Sequence, residues 1–215
     1  MTGALAHRGP DGIDTWQAGP VGLGHCMLRT TPEAFHEHLP FTCADGTLTI
    51  TADARIDNRE NLISDLNFEE RGEVVPDSSL ILYAYQRWGE SCVDHLLGDF
   101  AFAIWDAPRQ RLFLARDRYG KKPLFLSENN GTLLFASEIK SILAFPGVKP
   151  EVDTAAVWEY FAYRYVPAPA TLFRGIRKLM PGCYAVWEKG RLTEQRYFTP
   201  ADQAPLLVPQ DSGDV

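Results

Sequence analysis

His25 and Cys26 stand side by side, and a histidine next to a cysteine is the pairing that turns a thiol into a nucleophile. The stretch is strand-like, however, and neighbours on a strand point to opposite faces, so Cys26 reads as a core thiol. His36 and His38 have a spacing that suits metal ligation, but no third ligand is spaced to join them, and a solvated polar loop is the better reading. Thr2 follows the initiating Met1, so removal of Met1 would expose an N-terminal threonine of the kind some hydrolases use as nucleophile. Gly19, Gly22 and Gly24 lack the G-x-G-x-x-G spacing and there is no Walker loop, so nothing here cradles a nucleotide phosphate. The dense charges of Arg116-Asp117-Arg118-Tyr119-Gly120-Lys121-Lys122-Pro123 suit either an anion contact or a turn held by an internal Asp117–Arg pair, and the turn is favoured. The basic stretch from Arg174 to Lys178 reads as a solvated surface.

The elements that must position these residues follow from pattern. Gly19-Pro20 splits a hairpin between Trp16 and Leu28. Asp45-Gly46 joins strands at Phe41–Cys43 and Leu48–Ala52. A short helix is predicted over Asn58–Leu66, capped by Asn58, and another from Asp77, capped by Asp77 and ended by Gly89. Phe100–Trp105 is apolar on both parities, as a strand covered on two faces should be, and it pairs with Arg111–Arg116. Asn130-Gly131 repeats the device between Leu124–Leu126 and Thr132–Ser137. A helix over Asp153–Tyr163 carries an aromatic face, and strands at Cys183–Glu188 and Arg191–Phe198 straddle Lys189-Gly190. Helices between runs of hairpin-connected strands give an α+β chain rather than alternating βαβ.

Composition narrows the function classes. With 21 Lys plus Arg against 28 Asp plus Glu the net charge is −7, which disfavours a nucleic-acid partner. Four scattered cysteines, Cys26, Cys43, Cys92 and Cys183, with no CxxC pair point to free thiols in a reducing compartment, and with no signal peptide visible the expectation is cytoplasmic. No apolar run approaches the roughly 18 residues of a membrane span, so no membrane partner is expected.

Taken together, six stretches are far more specific than any one of them. They are Ala4–Gly12 with its His7-Arg8-Gly9-Pro10-Asp11-Gly12, Gly22-Leu23-Gly24-His25, Leu97–Asp106, Ala115–Leu124, Phe135–Lys140 and Gly175–Gly182. In this order they resemble the N-terminal class II glutamine amidotransferase domain of the asparagine synthetase family, an N-terminal-nucleophile hydrolase fold, from Ala4 to about Phe198. The resemblance implies a four-layer αββα sandwich, two antiparallel sheets between helix layers, with the first strand and most of the first helix missing. It also implies residues 1–198 as the amidotransferase-like domain and 199–215 as a linker or frayed tail towards an absent synthetase domain. In that family the domain hydrolyses glutamine and passes ammonia to a synthetase domain that activates a carboxylate with ATP and Mg²⁺.

Departures from the family pattern set the expectation for this chain. Met1 falls inside the first helix, after the place of the nucleophilic cysteine, so Thr2 sits at the wrong position to replace it. The family arginine that grips the glutamine carboxylate is Met27 here, and its Asn-Gly-Glu is Asp53-Ala54-Arg55. Of the groups that meet the substrate amine only an aspartate, Asp77, is kept. An oxyanion donor is worth roughly 3–4 kcal/mol and a buried carboxylate's arginine roughly 2–5 kcal/mol, so either loss alone costs a hundredfold or more.

The expectation is therefore a domain with no catalytic residue, no metal and no cofactor of its own, in which Met27, Asp53, Ala54, Arg55 and Asp77 are relic pocket positions. ATP and Mg²⁺ would belong only to a synthetase domain or subunit, its expected partner. The altered pocket also resembles those of lasso-peptide cyclases, macrolactam-forming members that have no use for glutamine. The alternatives are a stand-alone module binding a small molecule or peptide at Asp53, Arg55 and Asp77, and a fragment of a glutamine-hydrolysing asparagine synthetase. A missing strand would leave a sheet edge unpaired, which favours self-association.

Overall fold

The computed structural model describes residues 1–68 and 74–203; the remainder of the expected tail, 204–215, lies outside the described residues. Eleven strands are found among them. β1 (Gly12–Ala18) and β2 (Val21–Met27) form the first hairpin, with Gly12 opposite Met27 and Ala18 opposite Val21. β3 (Phe41–Thr42) and β4 (Leu48–Ile56) follow. Their turn is locked by Asp45, whose carboxylate accepts from the Thr47 amide at 3.0 Å, the Thr47 hydroxyl and the Cys43 thiol. Those three donors hold its pKa down at about 2, the Cys43 and Thr47 side chains contributing most.

β5 (Gly98–Asp106) and β6 (Arg111–Arg116) complete the middle of a six-stranded antiparallel sheet of order β11-β10-β6-β5-β4-β3, closed by β10 (Cys183–Glu188) and β11 (Arg191–Arg196). The second sheet layer comes in two pieces. One is β1-β2; the other is β8-β7-β9, from β7 (Phe125–Asn129), β8 (Thr132–Ala136) and β9 (Ile176–Lys178).

Three apolar clusters separate four layers. Ile50, Ala52, Ile56, Phe100, Phe102 and Phe113 face the helices α1 (Arg59–Asp65) and α2 (Asp77–Trp88), which bring Leu62, Leu80, Ile81 and Tyr85. The opposite parity, Ala101, Ala103, Trp105, Leu112 and Leu114, meets Leu23, Leu124 and Leu126 of the second sheet layer. Leu134, Ala136 and Ile176 then pack on Ile142 of α4 (Ile139–Leu143). This is the expected α+β sandwich of antiparallel sheets between helices, and the two-faced apolarity of Phe100–Trp105 is its cause. Each fully buried large side chain contributes roughly 1.5–3 kcal/mol.

Several local details differ from the sequence reading. Asn58 stands at the start of α1, but its side chain bridges to the His95 carbonyl and the Leu97 amide, both at 2.9 Å, rather than capping the helix. Asp77 is the first residue of α2, after Pro76, and its carboxylate turns back to the Ile56 amide and to Arg59. The turn after β6 is held by backbone amides rather than by an Asp117–Arg pair: buried Asp117 accepts from the amides of Tyr119, Lys121 and Lys122 at 2.9–3.1 Å. Arg116 donates instead to the carbonyls of Lys122, Leu179 and Gly120. Gly120 has φ +67°, and a Cβ there would lie 2.8–3.0 Å from Pro181 and Arg116, so the turn favours glycine. Part of the basic Arg174–Lys178 stretch is β9, with Arg177 paired to Glu194. Short α3 (Cys92–His95), α4 and the 3₁₀ turns at Glu33–His36 and Pro200–Gln203 carry no sequence pattern long enough to announce them, and what stands at the expected remnant of the first helix is a 3₁₀ helix, Thr2–Arg8.

A polar network crosses the helix-facing core. The Tyr85 hydroxyl donates to Asp106 at 3.0 Å and accepts from Arg111, whose other arm reaches Glu90 at 2.7 Å; Tyr184 also donates to Glu90. Burial, more than the neighbouring carboxylates, pushes Tyr85 and Tyr184 up to about 12. The four cysteines are free, and Cys43, Cys92 and Cys183 are buried.

Candidate functional site

The unpaired edge of β2, the unpaired edge of β8 and the inner face of β4–β5 border one cavity of about 940 Å³. Consecutive residues of β2, Gly22 to Met27, and of β8, Thr132 to Ala136, line it, so both strands turn a main-chain edge towards it. Met27, Asp53, Ala54, Arg55 and Asp77 all border this cavity. Period-two alternation separates their roles. Thr51, Asp53 and Arg55 share the β4 face that looks into the second layer, Ala54 lies on the opposite parity, and Asp77 sits beyond the end of β4 at the start of α2.

The charged members are already paired. Asp53 receives Arg8 at 3.3 Å and Lys122 at 2.5 Å. Asp77, 8 % exposed, is held by Arg59 and the Ile56 amide. Arg55 is exposed and lies 3.5 Å from Asp57. Met27 is buried where the resemblance has an arginine, so no guanidinium enters from that position.

Arg8 is the residue that ties the layers together. Its second arm reaches Glu138, just after β8, at 3.3 Å, and Glu138 also binds His7 and Lys140. Burial works against the Glu138 carboxylate, but hydrogen bonds from Lys140, His7 and Arg8 hold it below the usual range. Gly9 allows this approach: a Cβ there would lie 2.1 Å from the Cys26 carbonyl carbon, so only glycine lets the segment lie on β2.

His25 and Cys26 do not act on each other. The Thr51 hydroxyl lies 3.3 Å from the Gly24 carbonyl and 3.2 Å from His25 Nδ1. Burial lowers the His25 pKa, and Asp53 only partly opposes it, so the ring is neutral at pH 7. The Cys26 thiol donates to the Thr2 carbonyl at 3.5 Å, and burial raises its pKa against the pull of Arg8. Such a thiol is a poor nucleophile. Among the described residues no group of three His, Cys, Asp or Glu side chains is placed to hold a metal ion.

Sequence reasoning passed over Arg8, Lys122 and Glu138 as site residues. The signal was present, since each lies inside a stretch that carries the family resemblance.

Residues 1–198 match the family model described as a glutamine amidotransferase domain. The chain belongs to that family. It is 37 % identical to asparagine synthetase [glutamine-hydrolyzing] 3 of Bacillus subtilis over 201 residues, 92 % of this chain and 33 % of that protein. It is also 33 % identical to the amidase chyE of Penicillium rubens, over 90 % of this chain and 28 % of that protein. The chain thus spans about a third of the length of the curated relatives it matches. Among solved structures, the glutamine phosphoribosylpyrophosphate amidotransferase of B. subtilis superposes with a TM-score of 0.52 at 18 % identity, covering 82 % of this chain and 35 % of that one. That likeness is one of fold. No helix among the described residues is long and apolar enough to cross a membrane.

Proposed function

We propose that this amidotransferase domain has stopped hydrolysing glutamine and serves as a non-catalytic part of an ATP-dependent, amide-forming ligase of the asparagine synthetase kind. The observation that carries the reading is the pairing of Asp53 and Asp77 with internal cations at the cavity. Asp53 is bound by Arg8 and Lys122, Asp77 by Arg59, and Met27 offers no cation for a substrate carboxylate. A glutamine entering here would find neither Asp53 nor Asp77 free for its ammonium, and no arginine at position 27 for its carboxylate. Breaking the Asp77 pair to admit it would strand a buried charge, at a cost of about 3–5 kcal/mol.

In this reading the domain needs no cofactor. ATP and Mg²⁺ act in a synthetase portion, cytoplasmic like this one, whose carboxylate is attacked by an amine other than ammonia. A macrolactam-forming peptide ligase is the version that best explains why the glutamine contacts drifted. Isothermal titration of the natural protein with glutamine tests it: no binding heat at millimolar glutamine is the expected result, and saturable binding in the micromolar range contradicts it.

The cavity itself favours a second reading. About 940 Å³ lies within the range of small-molecule sites. A module that binds a zwitterion or short peptide there would show a thermal shift with amino acids or short peptides at millimolar concentration; no shift with any of them removes that reading.

A further inference from the structure

The helix α5 (Thr154–Tyr163) is apolar on nearly every side, with Glu159 as its one charged residue, yet only Ala156 is buried. A helix of that composition is normally enclosed. Here Trp158 is 76 % exposed, Phe161 73 %, Tyr163 and Tyr165 61 % each, and Tyr160 47 %. Two ring pairs lie along this stretch: Tyr160 meets Phe161 edge-on at 6.0 Å, and Tyr163 lies 6.3 Å from Tyr165.

The helix that carries these rings is capped at both ends. The Asp153 carboxylate caps the helix by accepting from the Ala155 and Ala156 amides, and the Arg164 amide closes the other end on the Tyr160 carbonyl. The Asp153 amide and the Arg174 amide tie the flanks through the Leu172 and Glu151 carbonyls at 2.8–2.9 Å. None of the five aromatics borders the cavity, so the surface is a separate feature from the pocket. Exposed aromatics concentrated on one capped helix mark an interface, because such side chains supply contact area at small entropic cost.

We propose that the aromatic face of α5 docks the synthetase portion of the ligase in which this domain works. The inference rests on the proposed function. What favours this occupant is length: the B. subtilis relative matched over 92 % of this chain has two thirds of its own length with no counterpart here. A domain that belongs with a portion twice its size must present a face to it, and this is the large apolar face the fold leaves uncovered among the described residues.

The test is hydroxyl-radical footprinting, read at Trp158 and Phe161, on the assembly recovered from its own cells through a tag on this domain, beside the isolated 215-residue chain. Mass spectrometry first identifies whether a synthetase-type portion is present, in the same polypeptide or as a partner. With that portion present, oxidation at both residues should fall roughly fivefold or more relative to the isolated chain, as for aromatics entering an interface core. The double variant Trp158→Glu with Phe161→Glu should uncouple the two, as loss of co-elution or as separate melting transitions, while the isolated chain keeps its melting temperature. If the portion is present and both residues oxidise as fast as in the isolated chain, the docking surface is wrong and the proposed function stands. If no synthetase-type portion is found, both fall. Protection already present in the isolated chain overturns the proposal in favour of a second copy if it grows with concentration, and of residues 204–215 if it does not.

Discussion

Lys122 and Asp53 form an ion pair across the cavity floor, joining the turn after β6 to the inner face of β4. Arg8 shares the same carboxylate, so one aspartate answers two cations from two different segments. Asp53 is therefore electrostatically satisfied without a ligand.

Asp53→Asn should test that statement through His25. Asp53 supports the imidazolium, so its removal moves the His25 pKa further down, readable by NMR titration of the ring. The pair with Arg8 and Lys122 is about a third exposed, so the stability cost should be only about 1 kcal/mol in urea. An unchanged His25 titration would show that Asp53 does not act on the cavity as described.

The same histidine sets a pH dependence. Its folded pKa is below the ordinary 6.5, chiefly through burial, so the unfolded chain binds the extra proton. Stability from this group is complete above pH 6.5 and is lost as pH falls from there through the folded value. His25→Asn should flatten that part of the profile in chemical denaturation between pH 7 and 5. Parallel curves for the two proteins would contradict the assignment.

Most of the sheet order was legible because hairpin turns announce themselves. Asp45-Gly46, Asn130-Gly131 and Lys189-Gly190 each sit between apolar runs, and each joins the strands expected of it. What sequence could not supply was the destination of polar side chains. Asn58 and Asp77 have the types and places of caps, but tertiary partners at His95, Leu97, Ile56 and Arg59 outcompete the local bond. For the same reason the cluster at Arg116–Pro123 reads as a self-contained turn, while Lys122 reaches out of it to Asp53. The five pocket positions could be placed by resemblance alone; their pairing partners were visible only in three dimensions.

Arg111 should be among the costliest single positions. Its guanidinium is 12 % exposed and serves Tyr85, Glu90 and Asp106 together. Arg111→Met leaves Tyr85 and Glu90 without that cation while Asp106 keeps Arg109 at 3.0 Å, which should destabilise the fold by about 1–3 kcal/mol in equilibrium unfolding. A loss below about 1 kcal/mol would mean the network is solvated rather than buried.

The isolated 215-residue chain should associate in solution. β2 and β8 each leave one edge unpaired beside the cavity, and such edges template pairing with other chains. Sedimentation should show species above 24.1 kDa that grow with concentration. A sharp monomer at all concentrations would argue that the edges are shielded.

Glutamate release from glutamine by the whole natural protein is the most direct measure of the central claim. With Met27 in place of a carboxylate-binding arginine and Asp53 and Asp77 committed to internal cations, no release above the enzyme-free blank is expected. Turnover at about 1 s⁻¹ or faster, within the ordinary range of enzymes, would contradict it and make this domain a working glutaminase.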